Sequence, residues 1–566
     1  MFAGEKMSEF RVSAATGQIE GVNFYFIEST APDNVDPPAS PDTKYPAAFR
    51  SVPADDAVKQ IASILVPPDD PHTNATLVLM VHGFNSPPAS ALGFYKSALD
   101  ALEADKAAIF DDPRRRVVCI GYRWPSESIG KVLGTSLKAM PLTPLSIFVA
   151  AAAILALRLI GWGTGFFDPA GGWPGWLTLA LTLTAVSLFA LIAVIVLLRG
   201  IVYFRDVYRA LNYGVPDLVE VIRQIDHEAS SALLSTAGKW SRNRVSLSFI
   251  GHSMGGLVVT EAIRVLSNVF DREAIRTRLS GQMRDQSKGE KLIGEAPGKI
   301  GHIFTLARFV LASPDIPAET LLSARANTLA SSLRRFREAY LFSNEGDEVL
   351  LLISTIVNYF SFPTRARNYG YRLGNVETLS EGFGKIGESG VLARLRIGDK
   401  TLEDLSENPS TATPKQFEDV ANAFTYFDCT DYVDGPGDRG MLTRARNYKA
   451  RDPGGRIPWY EHVLLLLRCS PLCPASWRIN VHGGYFDGET TRRLIYRLAC
   501  LGYEGTAKSF GGEDKIMSAC AARQIRVMPS SRLASRHHRA VERMDAPQSE
   551  AGLSLRPQPR RSGSAL

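Results

Sequence analysis

The stretch Val245-Ser-Leu-Ser-Phe-Ile-Gly-His-Ser-Met-Gly-Gly256 decides how the rest of the chain is interpreted. Residues 245–250 are a short apolar run that predicts a buried strand, and an apolar pattern with helical spacing follows the motif. The five residues between them fit G-x-S-x-G, in which a serine is held on a tight turn between a strand and a helix. Gly251 and Gly255 would let neighbouring backbone approach closely. We therefore predict that Ser253 is a nucleophile with an exposed hydroxyl.

Four other short motifs accompany predicted strands or helices. They are His82-Gly-Phe-Asn85 after the apolar run 76–81, Arg123-Trp-Pro-Ser126 after the run 116–122, Ser343-Asn-Glu-Gly-Asp347 after the run 339–342, and His482-Gly-Gly-Tyr485 before the helical pattern 490–501. Apolar runs of this length predict buried strands. The sequence thus indicates that polar motifs stand where strands of one sheet end.

With these motifs the sequence resembles the α/β-hydrolase superfamily, and more narrowly a group of poorly characterised bacterial esterase- or lipase-like hydrolases. The resemblance covers roughly residues 10–135 and 203–505. It implies an α/β-hydrolase fold, in which a mostly parallel sheet is flanked by helices. It also implies a catalytic triad in the chain order serine, acid, histidine, which places Ser253, Asp347 and His482 in these roles.

The acid and the histidine have rivals in the sequence. Asp347 follows a predicted strand and precedes an apolar helix start, but Glu345 lies in the same loop and Asp315 follows an earlier strand. A long excursion before His482 contains a second histidine, His462. Both choices stay open at this point.

Two backbone amides are the predicted oxyanion hole. The resemblance implies that the N–H groups of Phe84 and Met254 hold the negative charge of a tetrahedral intermediate, and loss of one such donor typically costs about 3–4 kcal/mol. We expect the His82 side chain to fix the loop rather than to react. Trp124, in the second motif, either lines the rim of the site or packs in the core.

Composition limits the partners and cofactors. The chain has 566 residues and a formal net charge of +6, and its Lys and Arg residues concentrate around two apolar segments and near the C-terminus. This distribution favours a membrane surface over nucleic acid. Six scattered cysteines give no paired zinc pattern. We expect no metal and no organic cofactor.

Two apolar runs interrupt the predicted hydrolase domain. Residues 140–162 carry a single charge, Arg158, and residues 176–198 carry none. About 23 residues of helix rise about 35 Å, enough to cross the hydrocarbon core of a bilayer. Basic residues on both outer flanks indicate that both flanks are cytoplasmic: Lys131, Lys138, Arg199, Arg205 and Arg209. We predict a transmembrane hairpin with helices at about 141–162 and 176–198, and a lipase-like hydrophobic lid is the alternative.

The predicted organisation follows from these segments. Residues 1–139 and 201–508 form the two parts of the hydrolase domain, residues 140–200 form the hairpin, and residues 509–566 form a basic tail that we expect to be disordered. Within the first part, residues 31–53 are rich in Pro and Asp and predict a loop.

We predict a serine hydrolase anchored in a bacterial inner membrane, with its catalytic domain in the cytoplasm. It would cleave an ester or related acyl bond in an acyl-ester or lipid-like small molecule, whose identity and chain length the sequence leaves open. Its partners would be this substrate and the bilayer, with no nucleic acid, and the oligomeric state stays open. The alternative is a membrane-anchored interaction protein with a hydrolase fold and little turnover, because a fold does not imply a function.

Overall fold

A computed structural model describes the chain over residues 10–15, 22–31, 48–67, 74–84, 86–112, 114–126, 203–234, 245–266, 299–321, 328–333, 335–354, 371–379, 391–398, 400–406, 420–434, 457–469 and 479–530, with Ala180, Val186 and Leu533 as single residues. The predicted transmembrane helices at about 141–162 and 176–198 therefore lie outside the described residues, apart from two single positions. Within the described ranges, no helix combines the length and the apolar character that a membrane crossing needs.

The strands, in chain order, are β1 Phe10–Ala15, β2 Val22–Ser29, β3 Phe49–Val52, β4 Asn74–Val81, β5 Arg115–Arg123, β6 Val245–His252, β7 Lys299–Ile300, β8 Phe304–Ala312, β9 Glu338–Ser343, β10 Glu377–Thr378, β11 Leu395–Ile397, β12 Lys400–Thr401, β13 Phe424–Asp428 and β14 Arg526–Met528. The α-helices are α1 Ala54–Leu65, α2 Pro88–Ala104, α3 Lys106–Ile109, α4 Val215–Leu234, α5 Met254–Leu266, α6 Thr328–Leu333, α7 Leu402–Ser406, α8 Trp459–Cys469, α9 Glu489–Phe510 and α10 Glu513–Ala522. Ala210–Gly214 and Val349–Ser354 are π-helical turns, and Ala318–Leu321, Leu373–Asn375 and Val391–Arg394 are 3₁₀ turns.

The main sheet has the strand order β14-β13-β9-β8-β6-β4-β5-β2-β1-β3, and β7 pairs with β8 beside this path. Every neighbouring pair from β13 to β2 is parallel. Antiparallel partners close both ends, with β14 on one side and β1 and β3 on the other. The protein therefore has a large, mostly parallel α/β sheet flanked by helices.

Strand β4 is an example of why the central strands are continuous apolar runs: its two faces pack in different cores. Leu77 and Leu79 are buried in the core that the sheet forms with α1, α4 and α5. Val78 and Met80 are buried in a second core, which contains residues of α2, α9 and α10. Because both faces of the parallel sheet are covered, neither face of the strand needs polar residues.

The register of the strands positions the loops that follow them. Val81 at the end of β4 lies opposite Gly251 of β6, and His252 lies opposite Ala312 at the end of β8. Ala312 in turn lies opposite Phe342 of β9. The loops after β4, β6, β8 and β9 therefore leave the sheet at one edge, where ligands bind in open α/β sheets.

Strand β3 shows that the prediction of a loop over residues 31–53 was wrong for residues 49–52, whereas residues 32–47 lie outside the described part of the chain. The strand is four residues long and, among the described strands, pairs with β1 at the sheet edge, with Val12 opposite Val52. A short edge strand needs no long apolar pattern, so composition alone missed it.

The prediction of a disordered tail over residues 509–566 was also wrong for its first part. Helix α10 and strand β14 continue the fold, because Ile516 and Val527 are buried in the second core. The charge of Arg526 in β14 is balanced by ion pairs of 2.8 Å to Asp428 and 3.0 Å to Glu377. The fold thus extends past residue 508, to at least Met528.

The turn after β6 leaves no room for a side chain at position 255, and this can be tested by mutation. A Cβ atom at this position would lie 2.3 Å from the Val81 carbonyl oxygen and 2.6 Å from that of His82. We expect Gly255→Ala to lower the free energy of unfolding by about 1–3 kcal/mol, because backbone cannot move aside without strain. Urea unfolding of the purified protein, followed by circular dichroism, measures this change.

The matched control is Gly93→Ala in helix α2, where an added Cβ meets no atom within 4 Å. That variant should gain about 0.5–1 kcal/mol, since alanine favours a helix more than glycine does. An unchanged unfolding midpoint for Gly255→Ala would contradict the close packing of this turn.

Candidate active site

Ser253 stands in a strained turn between β6 and α5. Its φ angle is 54°, in the left-handed region that residues other than glycine seldom adopt. The conformation is held from both sides, since its N–H donates to the Ala312 carbonyl (3.0 Å) and its carbonyl accepts from the Asp315 N–H (3.1 Å). Strain that the surroundings maintain is typical of functional positions.

The loop after β4 covers this serine. A Cβ atom at Gly83 would lie 2.7 Å from the Ser253 Cβ and 3.1 Å from the His252 Nδ1. Ser253 is consequently only 2 % exposed. The prediction of an exposed hydroxyl was wrong, because glycine lets this loop lie directly on the serine.

The two predicted oxyanion amides belong to residues on either side of this contact. Phe84 follows Gly83 in the covering loop, and Met254 follows Ser253 as the first residue of α5. An amide in the first turn of a helix has no acceptor within the helix, and the helix dipole there favours negative charge. The arrangement is compatible with an oxyanion site.

His82 and Trp124 support the covering loop from below. The imidazole donates from Nδ1 to the Gly83 carbonyl (2.7 Å) and stacks on the Trp124 ring at 5.2 Å. The indole N–H donates to the His82 carbonyl (2.9 Å). Burial lowers the pKa of His82 to about 3, so this ring is neutral. Trp124 is fully buried and packs in the core rather than lining a rim.

Asp347 and His482 form a direct hydrogen bond. The Nδ1 of His482 lies 2.7 Å from the Oδ2 of Asp347. The other oxygen, Oδ1, accepts from the N–H groups of Val349 (3.1 Å) and Leu350 (3.2 Å) at the start of a π-helical turn. The aspartate is buried and the histidine side chain keeps 18 % exposure. An oriented carboxylate of this kind sets the tautomer and orientation of a histidine ring.

Opposing effects set the pKa of His482. Burial by itself lowers it, whereas the charge and the hydrogen bond of Asp347 raise it, and the charge of Asp315 adds in the same direction. The net result is a pKa above the ordinary value of 6.5. The pair therefore stabilises the imidazolium form, which a general base becomes when it accepts a proton.

Two further side chains hold the backbone around His482. The Nε2 of His252 donates to the His482 carbonyl (3.0 Å), and the Asn344 side chain donates to the Val481 carbonyl (3.0 Å). Burial, with the nearby charge of His482, lowers the pKa of His252 to about 3, so that it acts as a neutral donor. Sequence reasoning missed both residues, although each lies inside a motif that it had singled out.

Ser313 and Asn375 were also missed. Ser313 follows β8 with a φ angle of 47°, its hydroxyl donates to Asp347, and its Oγ lies 3.3 Å from the His482 Nδ1. The Asn375 side chain donates to the Asp347 carbonyl (3.1 Å). A Ser-Pro pair after a predicted strand was a signal for the first residue, whereas nothing in the sequence singled out Asn375.

The rival acids have other partners. Asp315 forms an ion pair with Arg372 (2.9 Å) and accepts from the Tyr203 hydroxyl (2.7 Å). Glu345 accepts from the backbone N–H of Ile457 (3.2 Å). Among the three candidates, Asp347 is the acid that hydrogen-bonds to the His482 ring.

The rival histidine belongs to a separate pair. The Nδ1 of His462 lies 2.6 Å from the Oε1 of Glu348, and burial raises the pKa of that carboxyl group. His462 lies on α8, while His482 lies in the loop before α9. The neighbouring residues Asp347 and Glu348 thus contact different histidines, Asp347 contacting His482 and Glu348 contacting His462.

Metal ligation has no support in the ranges that the structure covers, where no group of three or more His, Cys, Asp and Glu side chains is arranged to hold an ion. No protein-family model matches the chain, and comparisons with characterised proteins and with solved structures find no similar protein. The protein is thus of the mostly parallel α/β class. Its strained serine and its histidine–aspartate pair lie at the carboxyl edge of the sheet.

We expect Asp347→Asn to lower the pKa of His482. The variant removes the negative charge that raises the pKa and leaves the burial that lowers it, so the ring will lose its proton at a lower pH than in the wild type. A pH titration by NMR, with ¹³C-labelled histidine rings, measures the shift among the nine histidines of the chain.

Glu348→Gln is the control for this titration, since its carboxylate contacts His462 instead. It should leave the pKa of His482 in place. An equal shift in both variants would mean that general charge, rather than the Asp347 contact, sets the pKa.

Proposed function

We propose that this protein is a serine hydrolase of the α/β-hydrolase type, which cleaves an ester or related acyl bond. The observation that carries the proposal is the convergence at one sheet edge of a strained serine, Ser253, and a hydrogen-bonded pair, His482–Asp347. Their order along the chain is the one typical of this superfamily. The strand–turn–helix context of Ser253 supports the same assignment.

In the proposed mechanism the Ser253 hydroxyl attacks the substrate carbonyl carbon while His482 accepts its proton through Nε2. Asp347 keeps the Nδ1–H of the ring oriented and stabilises the imidazolium that forms. The tetrahedral intermediate then collapses, the carbon–oxygen bond to the alcohol breaks, and His482 returns the proton to the departing oxygen. Water repeats the sequence on the acyl-enzyme and releases the acid.

The amides of Phe84 and Met254 would stabilise the oxyanion of both intermediates. Each such donor is worth about 3–4 kcal/mol where it is rigid and water is excluded. Rigidity is supported by the packing of Gly83 on Ser253 and by the stacked His82 and Trp124 rings beneath the loop. None of these steps calls for a metal or an organic cofactor.

We also propose that residues 140–200 anchor the protein as a transmembrane hairpin in a bacterial inner membrane. The residues beside the apolar insertion support this proposal, because Ser126 before it and Asp206 after it share a buried hydrogen bond of 2.8 Å. The same Ser126 hydroxyl accepts from the N–H of Ser86, just past the covering loop (3.1 Å). The insertion thus leaves and rejoins the domain at one point near the catalytic edge, which favours acyl substrates dissolved in the membrane.

A cytoplasmic catalytic domain fits the cysteines that the structure describes. Cys119, Cys429, Cys500 and Cys520 are free thiols and buried. Unpaired thiols are usual in a reducing compartment.

Ser253→Ala tests the proposed chemistry directly. The wild type should react with a fluorophosphonate probe and hydrolyse short-chain p-nitrophenyl esters, whereas the variant should do neither, because the attacking oxygen is gone. Peptide mapping should locate the probe on Ser253. Ser313→Ala is the control and should keep this labelling, since its hydroxyl is directed at Asp347. A wild type that is folded and unlabelled would favour the interaction-protein alternative.

His482→Ala should lower kcat/KM for the ester by about three to six orders of magnitude, as loss of a triad member does. His462→Ala removes a histidine that also pairs with a carboxylate, yet it should retain activity within about tenfold, because its partner is Glu348. Steady-state kinetics on both variants measures the difference. The reverse result would assign the base to helix α8.

A further inference from the structure

The helix that precedes α4 exposes an unusual apolar face. Residues 203–209 are helical and continue into the π-helical turn Ala210–Gly214. Phe204, Tyr208 and Leu211 are 44 %, 58 % and 38 % exposed. Their spacing of four and three residues places them on one side of the helix. Single exposed apolar residues are ordinary, but a contiguous stripe marks an interaction surface.

The opposite side of the same turns contacts the catalytic loops. The Tyr203 ring lies 5.6 Å from the ring of Phe84, and its hydroxyl donates to Asp315 (2.7 Å). Asp206 accepts from Ser126 (2.8 Å), as described above. The same helical turns therefore carry the exposed stripe on one side and contact the loop that covers Ser253 on the other.

The sequence around the stripe indicates what covers it. The charge-free run 176–198 ends six residues before Phe204, and six residues span at most about 20 Å even when fully extended. Of the two arginines in these turns, Arg209 is buried and Arg205 pairs with Asp206 (3.1 Å), so the exposed side of the helix is apolar. A helix with an exposed apolar face is suited to the boundary between headgroups and acyl chains.

We propose that Phe204, Tyr208 and Leu211 form a membrane-contact stripe that lies in the bilayer interface. The inference rests on the membrane attachment proposed above and not on the hydrolase chemistry. Because the stripe and the catalytic loops share one helix, the contact holds the candidate active site against the lipid surface. Substrates already dissolved in the bilayer then reach the site without crossing water.

The first test measures the environment of position 208. In a full-length C469S/C473S background, which leaves the four buried cysteines in place, Tyr208→Cys is labelled with the fluorophore NBD and reconstituted into vesicles of phosphatidylcholine and phosphatidylglycerol. We expect blue-shifted emission that spin-labelled lipids quench strongly. Tyr460→Cys on α8 is the matched control, since Tyr460 is 45 % exposed, and its label should be quenched by aqueous iodide instead.

The second test uses the triple variant Phe204→Ser, Tyr208→Ser and Leu211→Ser. All three side chains are exposed, so the fold should survive. We expect hydrolysis of a long-chain ester embedded in the vesicles to fall about tenfold, while hydrolysis of a dissolved short-chain ester stays within about twofold. The matched control Tyr460→Ser with Leu464→Ser should change neither rate.

Different failures have different meanings. A label at position 208 that iodide quenches as it does at position 460 overturns the membrane-contact stripe. Extraction of the whole protein by carbonate overturns the membrane anchor and the stripe with it. If the wild type hydrolyses neither ester, the hydrolase proposal fails, and the quenching experiment alone still decides for or against the stripe.

Discussion

The structure depends most on the close approach between the end of β4 and the turn after β6. Gly255 lies against the carbonyl oxygens of Val81 and His82, and Gly83 lies against Ser253, at separations that leave no room for a side chain. Backbone packed on backbone in this way fixes the covering loop relative to the serine. The low exposure of Ser253 follows from this contact, and hydrogen bonds to Ala312 and Asp315 hold its strained φ angle in place.

Three histidines near this edge of the sheet differ in pKa because their electrostatic environments differ. His82 is buried and His252 is half-buried, and withdrawal from water lowers the pKa of each to about 3, so both act as neutral, positioning groups. The His482 side chain keeps 18 % exposure, and although its partial burial lowers the pKa, the charge and hydrogen bond of Asp347 more than offset that effect and raise it. One carboxylate thus distinguishes a candidate base from two structural imidazoles.

The apolar insertion is joined to the site through short-range contacts. Ser126 and Asp206 bring its two flanks together, and Tyr203 continues the connection to Asp315, whose backbone N–H holds the Ser253 carbonyl. The two flanks of the apolar insertion and the organisation of the candidate site are therefore not independent features. They share the same few turns of helix after the insertion.

Local patterns in the sequence by themselves determined the central strands, the serine turn and the choice of Ser253, because apolar runs and a G-x-S-x-G turn are short-range signals. The resemblance to the α/β-hydrolase superfamily pointed to Asp347 and His482, but the sequence could not exclude Glu345, Asp315 or His462, since these choices depend on which loops meet in space. Only the tertiary structure decided that Asp347 contacts His482 and that Trp124 is buried. It also added Ser313, Asn375 and strand β14. Their partners lie between 28 and 169 residues away along the chain, and such pairings are set by packing rather than by neighbouring residues.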